Sequence, residues 1–145
     1  MDDNVPETLA ILRLAKAEAL AFESSAIGTE MILLGILSYG TGIAYNVLKR
    51  LGITLKDARI EVKKLIKPQK EVQVLNFSPR AKKILEIAYE TAQEHKRTKI
   101  KSENILYGIT KIPNCLSMNV LSNLGTDILE LQQGIKQELL GGMEL

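Results

Sequence analysis

Tryptophan is absent from this 145-residue chain, and cysteine and histidine occur once each, as Cys115 and His95. A single cysteine excludes an internal disulfide, and with one histidine it excludes a Cys/His metal cluster. Aromatic residues are 4% of the total against 46% hydrophobic residues, so any core must be built from Ile, Leu, Val and Ala. The longest apolar run, Met31 to Leu37 around Gly35, is far short of the ~20 residues a membrane span needs. The acidic start Met1-Asp2-Asp3-Asn4 leads into no signal-like apolar stretch, so neither a secretory nor a transit peptide is predicted, and a cytoplasmic or organelle-interior site follows. Neither sign of charge dominates, the formal net charge being +2, which gives no nucleic-acid footprint. No Gly-x-x-x-x-Gly-Lys-Ser/Thr loop is present to cradle a triphosphate. One histidine, one cysteine and scattered acids assemble no Ser/His/Asp set, no paired acids and no metal site, so the chain reads as non-catalytic and without a cofactor.

What is present is a duplication. At a constant offset of 73 positions and with no insertion, Glu30 meets Glu103, Gly35 meets Gly108 and Gly52 meets Gly125. The same offset pairs Ile32, Leu33 and Ile36 with Ile105, Leu106 and Ile109, and Asn46, Val47, Leu48 and Leu51 with Asn119, Val120, Leu121 and Leu124. Upstream it pairs Ile11, Leu12, Ala15 and Ala19 with Ile84, Leu85, Ala88 and Ala92. Most matched positions are apolar at helical spacing, or glycines of the kind that end helices, so the repeated object is a packing plan. Function is to be sought in the few matched polar residues and where the copies differ.

Each copy predicts four helices. The first, about 7–22, carries Leu9, Leu12, Ala15, Ala19 and Phe22 on one stripe, and its counterpart opens with Ser78-Pro79, an N-cap followed by proline at the first helical position. The second opens at Thr29-Glu30 or Ser102-Glu103, a hydroxyl N-cap and an acid in the first turn. The third starts near Thr41 or Asn114 and ends at Gly52 or Gly125. The fourth opens with Thr54-Leu55-Lys56-Asp57 or Asp127-Ile128-Leu129-Glu130. The expected fold is all-α: one domain of eight helices, as two tandem four-helix repeats (about 7–66 and 78–140) joined by a connector over 67–77. A pseudo-two-fold axis would relate the repeats, their aliphatic faces buried against each other.

Three runs carry a family resemblance: Ile27-Gly28-Thr29-Glu30-Met31-Ile32-Leu33-Leu34-Gly35-Ile36-Leu37, Leu55-Lys56-Asp57-Ala58-Arg59-Ile60-Glu61-Val62 and Phe77-Ser78-Pro79-Arg80-Ala81-Lys82-Lys83-Ile84-Leu85-Glu86. With the duplication, they resemble the tandem-repeat N-terminal domain of Clp unfoldases, most of all ClpC of the cyanobacterial and plastid type, from about Glu7 to Leu140. The resemblance implies a non-catalytic interaction module of the Clp chaperone-protease system that receives substrate and adaptor proteins for a hexameric AAA+ ATPase. It implies a bacterial cytoplasm or plastid stroma, partners that include the Clp ATPase or a ClpP-type protease core, and a monomeric isolated domain. It also implies that Glu30 and Glu103, flanked by Thr29 and Ser102, receive the guanidinium of a phosphorylated arginine. A carboxylate can accept two parallel bonds from a guanidinium while helix N-terminal amides favour the phosphate. The bland alternative is an acid that stabilises its own helix dipole by ~0.3–1 kcal/mol. Tyr39, beside Gly40-Thr41-Gly42, is a further candidate for contact with a partner.

The departures from the family pattern are lopsided. The second copy has Lys101-Ser102-Glu103 where Gly-Thr-Glu is usual, and Ile112-Pro113-Asn114-Cys115 where an acidic, glycine-containing loop is usual; Pro6-Glu7-Thr8 replaces a Phe-Thr start. Such drift suits a paralogue or a free-standing relative similar to the plastid ClpT proteins, which dock on the protease and regulate it. An ending at Gly141-Gly142-Met143-Glu144-Leu145 fits either that or the head of a longer unfoldase. From another class comes a small helical nucleic-acid binder using the basic stretch Lys96 to Lys101. Its binding would weaken steeply with salt, whereas cations near helix C-termini, including Lys63-Lys64 with Lys67 and Lys70, otherwise complement the helix dipole. His95 and Cys115 lack catalytic company and are expected to be a surface residue and an incidental thiol.

Overall fold

The computed structural model describes residues 6–69 and 74–141. These hold eight helices: α1 (Glu7–Ala21), α2 (Thr29–Tyr39), α3 (Ile43–Arg50), α4 (Leu55–Leu65), α5 (Pro79–Glu94), α6 (Ser102–Thr110), α7 (Leu116–Asn123) and α8 (Ile128–Gly141). Extended pairing among the described residues is limited to one isolated bridge, Ile27 with Phe77. That bridge, flanked by Ile27 N–H to Asn76 O at 2.9 Å and Ser78 N–H to Ile27 O at 3.0 Å, lays the end of the connector along the α1–α2 loop. Residues 70–73 of the predicted connector lie outside the described residues. The duplication is structural: 116 − 43 and 123 − 50 both equal 73, so α7 repeats α3 without slippage.

The helix ends follow from local chemistry. Ser78 Oγ accepts from Ala81 N–H, Thr54 Oγ1 from Asp57 N–H, and Asp127 Oδ1 from Leu129 and Glu130 N–H, so α5, α4 and α8 start where their caps predict. Gly52 and Gly125 stop α3 and α7 with φ of 80° and 81°, a region glycine enters without steric cost. Helices α1 and α5 stop in the same geometry at Glu23 and Lys96, with φ of 53° and 54°, closed by Ser24 N–H to Ala19 O and Arg97 N–H to Ala92 O. These two turns place Ser24 and Arg97 at equivalent points beside the second helix of each copy.

Packing departs from the sequence expectation in three ways. Gly35 and Gly108 end nothing. They lie inside α2 and α6, where a Cβ would stand 2.6 Å from Ile11 O and 2.7 Å from Ile84 O, so the pair permits backbone-to-backbone approach of α1 on α2 and α5 on α6. The buried stripe of α1 is accordingly Ile11, Ala15 and Ala19, the residues that meet α2, while Leu9 is exposed. Finally, the copies are not separate four-helix bundles laid face to face: α3 crosses to pack on α6 and α8, and α7 crosses to pack on α2 and α4. Arg50 Nη2 on α3 reaches Glu138 Oε1 on α8 at 3.7 Å along this crossed contact. Helix α2 ends up at the centre, buried from Thr29 through Leu37. No single helix among the described residues is long and apolar enough to cross a membrane.

Candidate functional site

Thr29 and Ser102 follow the cap positions rather than occupying them, and each hydroxyl serves the opposite copy. Thr29 Oγ1 accepts from Ser117 N–H at 3.0 Å, and Ser102 Oγ accepts from Ala44 N–H at 3.2 Å. Since 117 − 44 is again 73, these are one bond used twice across the pseudo-two-fold axis. Both residues are buried, and their hydroxyls clamp the crossed helices α7 and α3.

Glu30 sits in the first turn of α2 with the residue only 3% exposed. Its Oε1 has no hydrogen-bond partner among the described residues. Burial pushes the carboxyl pKa up, and the backbone N–H groups of Glu30 and Met31, which favour the charged form, pull part of the way back. Gly28 makes this posture possible: a Cβ there would overlap Glu30 Oε1. The carboxylate opens onto a cleft of about 570 Å³ lined by Ser24, Ser25, Lys67, Ser78, Arg80 and Leu116 among others. Arg80 is held at this cleft by an Nη1–H bond to Asn114 O at 2.9 Å. One buried acid with a spare oxygen thus faces hydroxyls and two cations.

Glu103, its counterpart, is 4% exposed but is paired with a cation. Arg97 Nη1 donates to Glu103 Oε2 at 2.8 Å and Arg97 Nη2 to Leu139 O at 3.5 Å. Where Glu30 has Gly28 two residues before it, Glu103 has Lys101. Beyond Ser102, Glu7 Oε1 accepts from Ser102 N–H at 2.6 Å, so the first amide of α6 already holds an anion. At the Glu30 site the counterpart of Glu7 is Arg80 and the counterpart of Arg97 is Ser24.

The predicted pairs are therefore brought to the same place in each copy but into different surroundings. Tyr39 is half-buried against the core at the far end of α2, about 13 Å along the helix from Glu30 at 1.5 Å per residue, and does not line the cleft. Arg80, Arg97 and Glu7 are the residues that sequence reasoning missed, and the 73-residue alignment held the signal: Arg97 opposite Ser24 and Glu7 opposite Arg80 are changes of charge. Cys115 is buried at the cap position of α7 and His95 Nδ1 lies 2.8 Å from Thr91 O, both structural. With Arg97 turned inward, the Lys96 to Lys101 stretch loses a cation from any phosphate-binding face.

The duplicated all-helical domain defines the class of protein. The chain belongs to the Clp N-terminal repeat family: the model of the Clp repeat (R) N-terminal domain matches residues 6–123. It is 43% identical over 127 residues to the ATP-dependent Clp protease ATP-binding subunit ClpA homolog of Cyanidium caldarium, a match covering 86% of this chain and 15% of that protein. To the chloroplastic chaperone protein ClpC1 of Arabidopsis thaliana it is 42% identical over 123 residues, 83% of this chain and 13% of the relative. The chain thus spans about a seventh of the length of the curated relatives it matches. Among solved structures, the N-terminal domain of ClpD from Arabidopsis thaliana superposes with a TM-score of 0.76 at 20% identity, covering 93% of this chain and 96% of that one.

Proposed function

We propose that the chain is a non-catalytic interaction module of the Clp system that receives substrate or adaptor proteins, and that its Glu30 cleft takes an arginine or phosphoarginine side chain. The single observation that carries this is the buried, partnerless Oε1 of Glu30 at the mouth of a cleft furnished with Arg80 and Lys67. A guanidinium would satisfy the orphaned oxygen and favour the charged carboxylate. An attached phosphate would meet the two cations and the N-terminal end of α2. A structural acid alone has no need of an open cleft or an unused oxygen, since a buried polar atom without a partner costs ~1–3 kcal/mol.

Titration calorimetry with a phosphoarginine peptide tests the reading, with circular dichroism confirming each variant's fold. Glu30→Ala should weaken binding by roughly 1.5–3 kcal/mol, the range for hydrogen bonds to charged groups. Glu103→Ala should do less, because Glu103 is already paired. Unchanged affinity for Glu30→Ala, or no binding by the unmutated chain, would reject the Glu30 assignment and favour a docking role through another surface.

A further inference from the structure

The two acids are equivalent by duplication, yet one is open and the other is filled by the chain itself. Arg97 sets a guanidinium on Glu103, side-chain exposures being 18% and 5%, and Glu7 sets a carboxylate on the first amide of α6. A cation on the acid and an anion on the neighbouring helix N-terminus are the two halves of a phosphorylated arginine. At the Glu30 site neither half is present. Ser24 replaces Arg97, and its hydroxyl turns away to donate to Ala26 O at 2.8 Å. Arg80 replaces Glu7, and no acceptor among the described residues sits on Thr29 N–H, the counterpart of Ser102 N–H.

Resting on the reading of Glu30 given above, we infer that Arg97 and Glu7 act as a tethered ligand that closes the second-copy site, so the domain binds one guanidinium ligand rather than two. Arg97 is the residue that decides the stoichiometry. A tethered group competes at the high effective concentration of an intramolecular contact, and free ligand at ordinary concentrations does not displace it. The duplication thus yields one receiving site and one internally satisfied copy of it.

The test is calorimetry with free phosphoarginine on the whole chain. The parent should bind at one site per chain, Arg97→Ser at two, and Arg97→Ser with Glu30→Ala at one. Phosphoarginine should also raise the melting temperature of Arg97→Ser more than that of the parent, since it restores the missing guanidinium. If Arg97→Ser proves unstable with Glu103 left unpaired, Arg97→Gln keeps a donor to the acid while removing the charge, and the same two-site result is expected. A folded Arg97→Ser or Arg97→Gln that still binds at one site would overturn the inference while leaving Glu30 in place. Binding by Arg97→Ser but not by the parent would uphold the tethered ligand and reject the Glu30 reading, and no binding by either would reject both.

Discussion

Neutralising the two related acids should move stability in opposite directions. In Glu103→Gln, Arg97 keeps a hydrogen-bond acceptor but loses its counter-charge while mostly removed from solvent. Loss of the charged part of such a bond costs ~1.5–3 kcal/mol, and breaking a buried pair outright ~3–5 kcal/mol. The retained acceptor and the partial exposure of Arg97 put the expected loss near 2–3 kcal/mol. At about 3 °C per kcal/mol for a chain this size, the melting temperature should fall by roughly 6–9 °C. Glu30→Gln removes a charge that burial disfavours and that has no cation bonded to it, so that variant should be at least as stable as the parent at neutral pH. The pH dependence follows from the same cause. An acid whose pKa is higher folded than unfolded binds more protons in the folded state between the two values, so stability falls as pH rises through that interval. Glu30→Gln should flatten this segment. Thermal unfolding of both variants from pH 4 upward measures all of this. Equal destabilisation by the two substitutions, or a Glu30→Gln variant markedly less stable than the parent, would refute the contrast between an open and a filled carboxylate.

Gly35→Ala gains about 1 kcal/mol of helix propensity but drives a methyl to 2.6 Å from Ile11 O, backbone that moves only if α1 lifts off α2. With overpacking at ~1–3 kcal/mol, chemical denaturation should show a net loss, and a more stable variant would contradict the close-approach role. Leu48→Ala and Leu121→Ala, both fully buried, should each cost ~2–5 kcal/mol, whereas Lys99→Ala on the exposed turn should cost little; equal small effects would mean the repeat does not mark the core. Because α3 and α7 pack mainly on the opposite copy, fragments 1–66 and 74–145 should each show little helical circular dichroism alone and regain it on mixing. A well-folded single half would refute the crossed arrangement.

The duplication was legible because aliphatic positions and helix-ending glycines tolerate little change: Leu48 with Leu121 and Gly52 with Gly125 mark equivalent places in the fold. The crossing of α3 and α7 was not legible, because an apolar face looks the same whichever copy it packs against. The predicted α1 stripe holds at Ala15 and Ala19, with Leu12 and Phe22 packed against the core, and fails at Leu9 for a related reason. Periodicity finds an apolar face, but Gly35 chose the face carrying Ile11, Ala15 and Ala19 by letting only small residues and bare backbone come close. Thr29 and Ser102 read as caps of their own helices because capping is a local rule, and their bonds to Ser117 and Ala44 are long-range.

The same limit explains why the loss of Gly-Thr beside Glu103 ranks that acid below Glu30 without revealing what occupies it. Glu30 and Glu103 differ through residues at other points of the chain: Arg97 comes from the turn after α5 and Glu7 from the start of α1. The difference nevertheless begins at one position beside each acid. Gly28 leaves room for Glu30 Oε1 where a Cβ would overlap it, while the counterpart position holds Lys101 and Glu103 pairs with Arg97. Buried Glu103 is paired with the Arg97 guanidinium, whereas Glu30 is held in part by the amides of its own helix terminus and keeps Oε1 unpaired among the described residues.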